Sequence, residues 1–363
     1  MLYDVFFPLR DWFFGFNLFR YITFRTLMAS LTAFLIVFII MPKFIEVVSR
    51  LQFKQNEREF GPQSHLKKQN TPTMGGFLFI LSSIISSILW ARMNNIYIPL
   101  ILSVMFAFGF IGFMDDYLKR VRRSHRGLSI LQKYSLQLFF SFLFIISLYL
   151  YPPFKPYFDS IFIPYTNNVV LTIPLALAFV FYILVITGSS NAVNLTDGID
   201  GLAAGLAAIA FAVFGLFAYL AGNIVIANYL LIPYIDKVGE VAVVAGSIVG
   251  ALGGFLWYNA HPAKIFMGDT GALSLGATLG AISIITKQEL LLVIVGMVFV
   301  METLSTAIQI VYYRLTGGKR IFRMAPLHHH FELGGWSEPQ VLIRFWILGV
   351  IFAVIALASL KIR

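Results

Sequence analysis

Ten stretches of this chain are apolar for long enough to cross the roughly 30 Å hydrocarbon layer of a bilayer. Within 363 residues that leaves little freedom in the choice of fold. They fall at about 24–46, 74–92, 97–114, 130–150, 170–187, 202–221, 238–258, 270–286, 289–313 and 339–360. Charged residues make up 12 % of the chain, about half the ~25 % of a soluble domain. The expectation is an all-α integral membrane protein of about ten transmembrane helices. The links are too short to house a separate soluble domain, so residues 1–363 read as a single polytopic membrane domain.

The chain has no cysteine, which excludes disulfides, thiolate nucleophiles and cysteine-ligated zinc. Its first 25 residues are aromatic with scattered arginines, unlike a basic leader followed by a small-residue cleavage site. They read as an interfacial segment entering the first span. Orientation follows from the basic residues. The links after spans 1, 3, 5, 7 and 9 hold 18 of the 27 lysines and arginines. Basic loops stay in the cytoplasm, so that face is predicted cytoplasmic and both termini periplasmic.

The polar residues inside this apolar frame are concentrated on the same face. Between spans 5 and 6 runs Gly188-Ser-Ser-Asn-Ala-Val-Asn-Leu-Thr-Asp-Gly-Ile-Asp-Gly-Leu202, with Asn194, Asp197 and Asp200 spaced by three. Each step of three turns a helix by about 300°, which predicts that the three share one broad face. No lysine or arginine is nearby in sequence, so these carboxylates need a cation from elsewhere; a divalent metal on oxygen ligands is the natural one. Span 3 ends in Asp115-Asp116, acids at a helix C-terminus where the dipole disfavours them, followed by a basic run from Lys119 to Arg126. That run anchors to anionic lipid heads or draws in phosphorylated substrates. Asp269 sits between Gly268 and Gly271 at the entry to span 8, where a plain N-cap is the simplest role. Span 9 carries Glu302, Ser305, Thr306, Gln309 and Tyr313 as one polar stripe. An isolated Glu facing lipid costs about 3 kcal/mol, so the stripe is expected to face a polar cleft. The last loop holds Pro326-Leu-His-His-His-Phe-Glu332, whose three histidines would point in different directions on a helix. All six histidines, and Asp115, Asp116, Asp197, Asp200 and Asp269, fall on the predicted cytoplasmic side.

Together Thr71-Pro-Thr-Met-Gly-Gly76, Asp115-Asp116, Asn194-x-x-Asp197-x-x-Asp200, Phe266-Met-Gly-Asp269 and the histidine triplet resemble the polyprenyl-phosphate N-acetylhexosamine-1-phosphate transferase superfamily. The triplet with its Pro-Leu and Phe-Glu flanks resembles the phospho-N-acetylmuramoyl-pentapeptide transferase branch. The likeness spans nearly the whole chain; Asn70 replaces a glycine common before Thr-Pro-Thr. It implies transfer of phospho-MurNAc-pentapeptide from UDP-MurNAc-pentapeptide to undecaprenyl phosphate, giving lipid I and UMP for peptidoglycan synthesis. It also implies Mg²⁺ as cofactor, an inner-membrane location, a cytoplasmic-side cleft and a homodimer. On matching positions it implies catalytic roles for Asp115, Asp116, Asp269, His328, His329 and His330. Substrate contacts fall on Lys68, Thr73, Asn194, Asp197, Asp200, Asn259, Phe266 and Gln309, and metal ligation on Asp269 and Asp197. A GlcNAc-1-phosphate transferase of the same superfamily lacks the triplet. A cation-coupled transporter would place its acids at the midplane in an internal repeat, and no repeat is visible here. An aromatic prenyltransferase would space its acids by four.

Overall fold

The protein, as a computed structural model, is described over residues 1–51, 71–121, 127–166 and 170–360. Hydrocarbon offers no partner to a backbone N–H or C=O, so each apolar run closes its hydrogen bonds on itself as a helix. Among the described residues these helices are α1 (Leu2–Phe6), α2 (Ile22–Arg50), α3 (Gly75–Trp90), α4 (Tyr97–Val121), α5 (Ile130–Leu150), α6 (Leu175–Thr196) and α7 (Leu202–Ala221). They continue with α8 (Ile224–Leu230), α9 (Val241–Asn259), α10 (Gly268–Ile285), α11 (Glu289–Val295), α12 (Met297–Leu315), α13 (Leu327–Glu332) and α14 (Glu338–Ala358). Eight are long and apolar enough to cross a membrane, and α11 with α12, bent by 82°, forms either a broken ninth span or a re-entrant loop. The expected span at 74–92 is α3, whose 16 residues extend only about 24 Å. The chain is thus an all-α, multi-pass membrane protein.

Two expected spans differ. The span placed at 170–187 begins later, because Val170–Thr172 pairs antiparallel with Ser160–Phe162 as a small hairpin, Ser160 opposite Thr172. The helix then starts after Pro174 and runs on through Gly188–Thr196. That polar stretch stays helical because its side chains find acceptors inside the bundle. The Ser189 hydroxyl returns to the Val185 carbonyl at 2.7 Å, the Ser190 hydroxyl donates to the Leu273 carbonyl at 2.9 Å, and the Asn191 amide donates to Gln137 Oε1 at 2.8 Å. The apolar run at 289–313 is broken at Gly296. Between α7 and α9 the chain forms α8, capped by Asn223 on the N–H groups of Val225 and Ile226, and then turns through residues 232–237.

α10 is the axis of the bundle. Every residue from Thr270 to Ile285 is buried, packed among α3, α4, α6 and α7. Gly76 of α3 lies so close to Gly271 of α10 that a Cβ there would strike its backbone, which lets the two helix starts meet. On the other side of the bundle α9 packs along α2.

Two of the basic residues counted outside the lysine- and arginine-rich loops are members of interior ion pairs instead. Arg25 is buried and bidentate to Glu240, both contacts 2.6 Å, and donates to the Trp90 carbonyl at 3.3 Å. Lys287, fully buried, donates to Glu289 Oε1 and to the Tyr182 hydroxyl, each at 2.6 Å. Buried charges persist only when paired and hydrogen-bonded. These two therefore pin α2 to α9 and α6 to α11, and the loop charges are more one-sided than the raw count.

The absence of native cysteine makes the topology directly testable. A single cysteine at exposed Ser337, before α14, should react with a membrane-impermeant maleimide only from one face of sealed vesicles. One at exposed Asp236, before α9, should react only from the other. Labelling of both from the same face would contradict the arrangement.

Candidate active site

The site grows from the start of α10. The turn at 71–76 and the strand-like segment at 265–268 are zipped together by backbone. Phe266 N–H donates to the Pro72 carbonyl at 2.8 Å, Gly75 N–H to the Phe266 carbonyl at 2.8 Å and Gly76 N–H to the Met267 carbonyl at 2.9 Å. Phe266 is thereby fixed at the rim, half-buried. Gly268 takes φ +75°, and a Cβ there would sit 2.7 Å from Asp116 Oδ2 and 2.9 Å from Thr73 Oγ1. Only glycine lets Thr73 and Asp116 close on this turn.

The first N–H groups of a helix have no intrahelical partner. Here a neighbouring helix supplies one. Asp116 of α4 accepts from Thr270 N at 3.0 Å, from the Thr270 hydroxyl at 2.8 Å and from Asp269 N at 3.3 Å. An anion at a helix N-terminus is the favourable sign. Asp269 is therefore free of the simple capping role; its side chain caps nothing in its own helix. Instead Oδ1 accepts from Asn194 at 2.8 Å, and Oδ2 lies 3.1 Å from the Lys119 ammonium and 2.8 Å from that of Lys133. Asp115 faces the same lysine, 2.6 Å from Lys119, and accepts from Leu128 N at 2.8 Å.

Sequence reasoning missed the two lysines as partners of these acids. Lys119 was read within the basic run. Lys133 sits one turn into α5, where the dipole disfavours a cation, and that misfit was the available signal. The cation that the Asp197 region lacks in sequence is thus partly supplied from α4 and α5.

The three-residue spacing of Asn194, Asp197 and Asp200 does not put them on one face. α6 stops at Thr196 with Asp197 as its C-cap, and the following turn sends Asp200 elsewhere. Asp197 accepts from the Gly268 N–H, and its carboxyl is pushed up to about 7 by burial, then by the charges of Asp269, Asp116 and Asp200. Asp200 accepts from Ala263 N at 3.1 Å and lies 3.0 Å from His261 Nδ1, while its own N–H donates to Glu338 Oε1 at 3.0 Å. Asp200, His261 and Glu338 form a clip tying the turn to α14 and to the loop before α10. Asn259 is part of the same scaffold. Its Oδ1 accepts from Gly201 N at 3.0 Å and its Nδ2 donates to the Ile265 carbonyl at 2.8 Å.

The histidines diverge, as consecutive helical residues must. His328 is buried, its N–H 3.2 Å from Glu302 Oε1 and its Nδ1 3.2 Å from Oε2. Among the described residues its Nε2 has no hydrogen-bond partner, and it lies over Gly198, next to Asp197. His329 pairs with Glu332 at 2.9 Å, and His330 Nδ1 accepts from Arg323 N at 3.1 Å. Of the triplet, His328 is placed against the acidic centre. Glu302 faces the protein interior with His328 as partner. Gln309, two turns on, accepts from Ile321 N and Phe322 N at 3.1 and 3.0 Å and donates to the Phe322 carbonyl at 3.2 Å. It braces the loop leading to the triplet. Lys68 lies outside the described residues.

Two groups among the described residues bring three ligand-type side chains together: Asp115, Asp116 and Asp269, and Asp200, His261 and Glu338. Their donor atoms lie within 4.8 Å of one another. The first fits a hard divalent cation better. It is all oxygen, which suits such an ion. Asp115, Asp116, Asp197 and Asp269 outnumber Lys119 and Lys133 by two charges when all are ionised. The Asp197 carboxyl, raised first by burial, is raised further by those neighbouring acids. The second group is already committed to backbone and imidazole hydrogen bonds. Asp197 is not one of the three closest acids.

Below pH 7 Asp197 takes up its proton and the centre loses one negative charge. Divalent-cation affinity should therefore fall as pH drops from 8 to 6, by up to about tenfold. Mg²⁺ titrations of the purified protein, read by thermal shift, check this. Asp197→Asn should flatten the dependence, and a flat parental profile would contradict the assignment.

The chain matches the family model described as Glycosyl transferase family 4 over residues 98–287. It is 51 % identical to the phospho-N-acetylmuramoyl-pentapeptide-transferase of Desulfotalea psychrophila over 363 residues, all of both chains. It is 48 % identical to the proteins of that name from Thermodesulfovibrio yellowstonii and Syntrophus aciditrophicus, again over 100 % of each chain.

Proposed function

The chain belongs to glycosyl transferase family 4 and, within it, to the phospho-N-acetylmuramoyl-pentapeptide-transferases; from that premise we propose that it makes lipid I. The donor is UDP-MurNAc-pentapeptide and the acceptor undecaprenyl phosphate. A lipid phosphate oxygen attacks the donor's β-phosphorus, the bond from that phosphorus to the α–β bridging oxygen breaks, and UMP departs with the electron pair. A phosphate monoester has its second pKa near ~6, so it is already largely dianionic and needs no base. Direct displacement therefore suffices.

Phosphoryl transfer asks for positioning and charge neutralisation more than for covalent help. The observation that carries the reading is the junction of Asp115, Asp116 and Asp269 with Lys119 and Lys133 at one helix start. Asp115, Asp116 and Asp269 would hold Mg²⁺, with Asp197 beside them, and the ion when bound neutralises charge on the pyrophosphate. Lys119 and Lys133 exchange Asp269 for phosphate oxygens as substrate enters. Asn194 holds Asp269 in register. His328, fixed through Glu302, presents an N–H or a proton to a phosphate oxygen at Nε2. Thr73 and Phe266 line the donor's side, with Asp200 and Asn259 shaping its floor; Lys68, outside the described residues, is carried as a donor contact by the family resemblance alone. One acceptor is a lipid and one donor is soluble, so the site belongs at a membrane surface. The basic asymmetry of the loops supports a cytoplasmic-face site with both termini periplasmic, and the family's reaction supports the bacterial inner membrane as its place. Residues 1–363 act as one polytopic unit.

Purified protein with both substrates and Mg²⁺ should yield lipid I and UMP in equal amounts. UDP-GlcNAc in place of the donor should yield neither. Ion flux in proteoliposomes without UMP release would instead identify a transporter.

Asp269→Asn tests the site itself. The helix start remains capped by Asp116, and one charge leaves a cluster with excess negative charge, so the thermal midpoint should stay close to the parent. Turnover should fall by orders of magnitude, because a hard cation loses an anionic ligand. Near-parental turnover at ordinary Mg²⁺ would return Asp269 to a structural role.

A further inference from the structure

Beyond Glu302, α12 runs on towards the basic loop and flanks a groove of ≈ 490 Å³, within the ~300–1,000 Å³ typical of small-molecule sites. Thr306, Gln309, Tyr313 and Arg314 line it from the helix and Arg320 from the loop. The groove is linked to the acidic centre through α12. Thr306 lies one turn from Glu302, its hydroxyl 3.1 Å from the Glu302 carbonyl, and Glu302 holds His328 over Gly198. Its far wall is fixed, because the Gln309 amide clamps the backbone of Ile321 and Phe322 immediately after Arg320.

The groove's charge has one sign. Its lining holds two guanidinium groups and no carboxylate. Among the described residues neither Arg314 nor Arg320 takes part in an ion pair. Between residues 303 and 337 the single acid is Glu332, and His329 occupies it. A planar guanidinium matches a carboxylate bidentately. A donor seated with its pyrophosphate at Lys119 and Lys133 must lead its remaining arm away from the acidic centre.

We propose that this groove is the subsite for the peptide arm of the glycosyl donor, with Arg314 and Arg320 receiving peptide carboxylates. The proposal rests on the lipid I reading and deepens it. The arginines then act as a selectivity filter: a donor whose peptide lacks its charges leaves two cations without partners. Tyr313 supplies an apolar wall with a polar tip.

The test compares UDP-MurNAc-pentapeptide with the same donor whose peptide carboxylates are converted to carboxamides, in detergent free of anionic lipid. The parent should favour the acid form in kcat/KM by about ten- to a hundredfold, the scale of charge-assisted hydrogen bonds. In the R314Q/R320Q double variant that ratio should collapse towards one, with each single variant in between. If the parent shows no preference, or the double variant loses activity equally on both donors, the groove does not read the peptide. A defect seen only in anionic vesicles would assign the arginines to lipid headgroups and also overturn the proposal. Failure of the parent to release UMP from either donor would instead sink the transferase reading.

Discussion

A helix that begins inside a protein must find acceptors for its first N–H groups, and α10 finds them on another helix. The Asp116 carboxylate takes the N–H of Thr270, its hydroxyl and the N–H of Asp269. That single side chain fixes the ends of α4 and α10 against each other. It also frees Asp269 to turn away from its own backbone and meet Lys119, Lys133 and Asn194. Asp115, one residue along α4, is carried to the same place by the same bond. The backbone zipper between 71–76 and 265–268 closes the remaining side. Without the cap, the acids would be four separate loop features rather than one centre.

The electrostatics follow from that geometry. Carboxylates from three helix ends gather around two lysines, and the Asp197 carboxyl is raised to about 7, first by burial and then by its acidic neighbours. A phosphoryl-transfer site needs this imbalance, since a cation held by excess negative charge is also available to phosphate oxygens. The neighbouring clip of Asp200, His261 and Glu338 is the contrast. There each acid is answered by a backbone N–H or an imidazole, and the result is a rigid turn rather than an ion site.

Much of this was legible in the chain itself. Apolar run length locates all ten hydrophobic elements, because hydrocarbon permits a helix and little else. It misplaces the start of α6, since Val170–Thr172 is apolar yet pairs as a strand, and polar Gly188–Thr196 remains helical through acceptors that only the folded bundle supplies. Helical arithmetic at Asn194, Asp197 and Asp200 fails for a related reason. The helix ends at Thr196, and beyond it a spacing of three no longer means one face. The partnership of Lys133 with Asp269 joins residues 136 apart in sequence, and no local pattern encodes it beyond the misfit of a cation at a helix start. Glu302 was legible as interior on cost alone; its partner His328, on a different element, was not.

The central claim is the proposal that Asp115, Asp116 and Asp269 hold a divalent cation. Anomalous diffraction from crystals of the purified protein grown with Mn²⁺ tests it most directly. The account predicts one strong peak at about 2.1 Å from an Asp269 oxygen, with Asp115 or Asp116 as a second ligand. A peak on Asp200, His261 and Glu338, with none at Asp269, would contradict it.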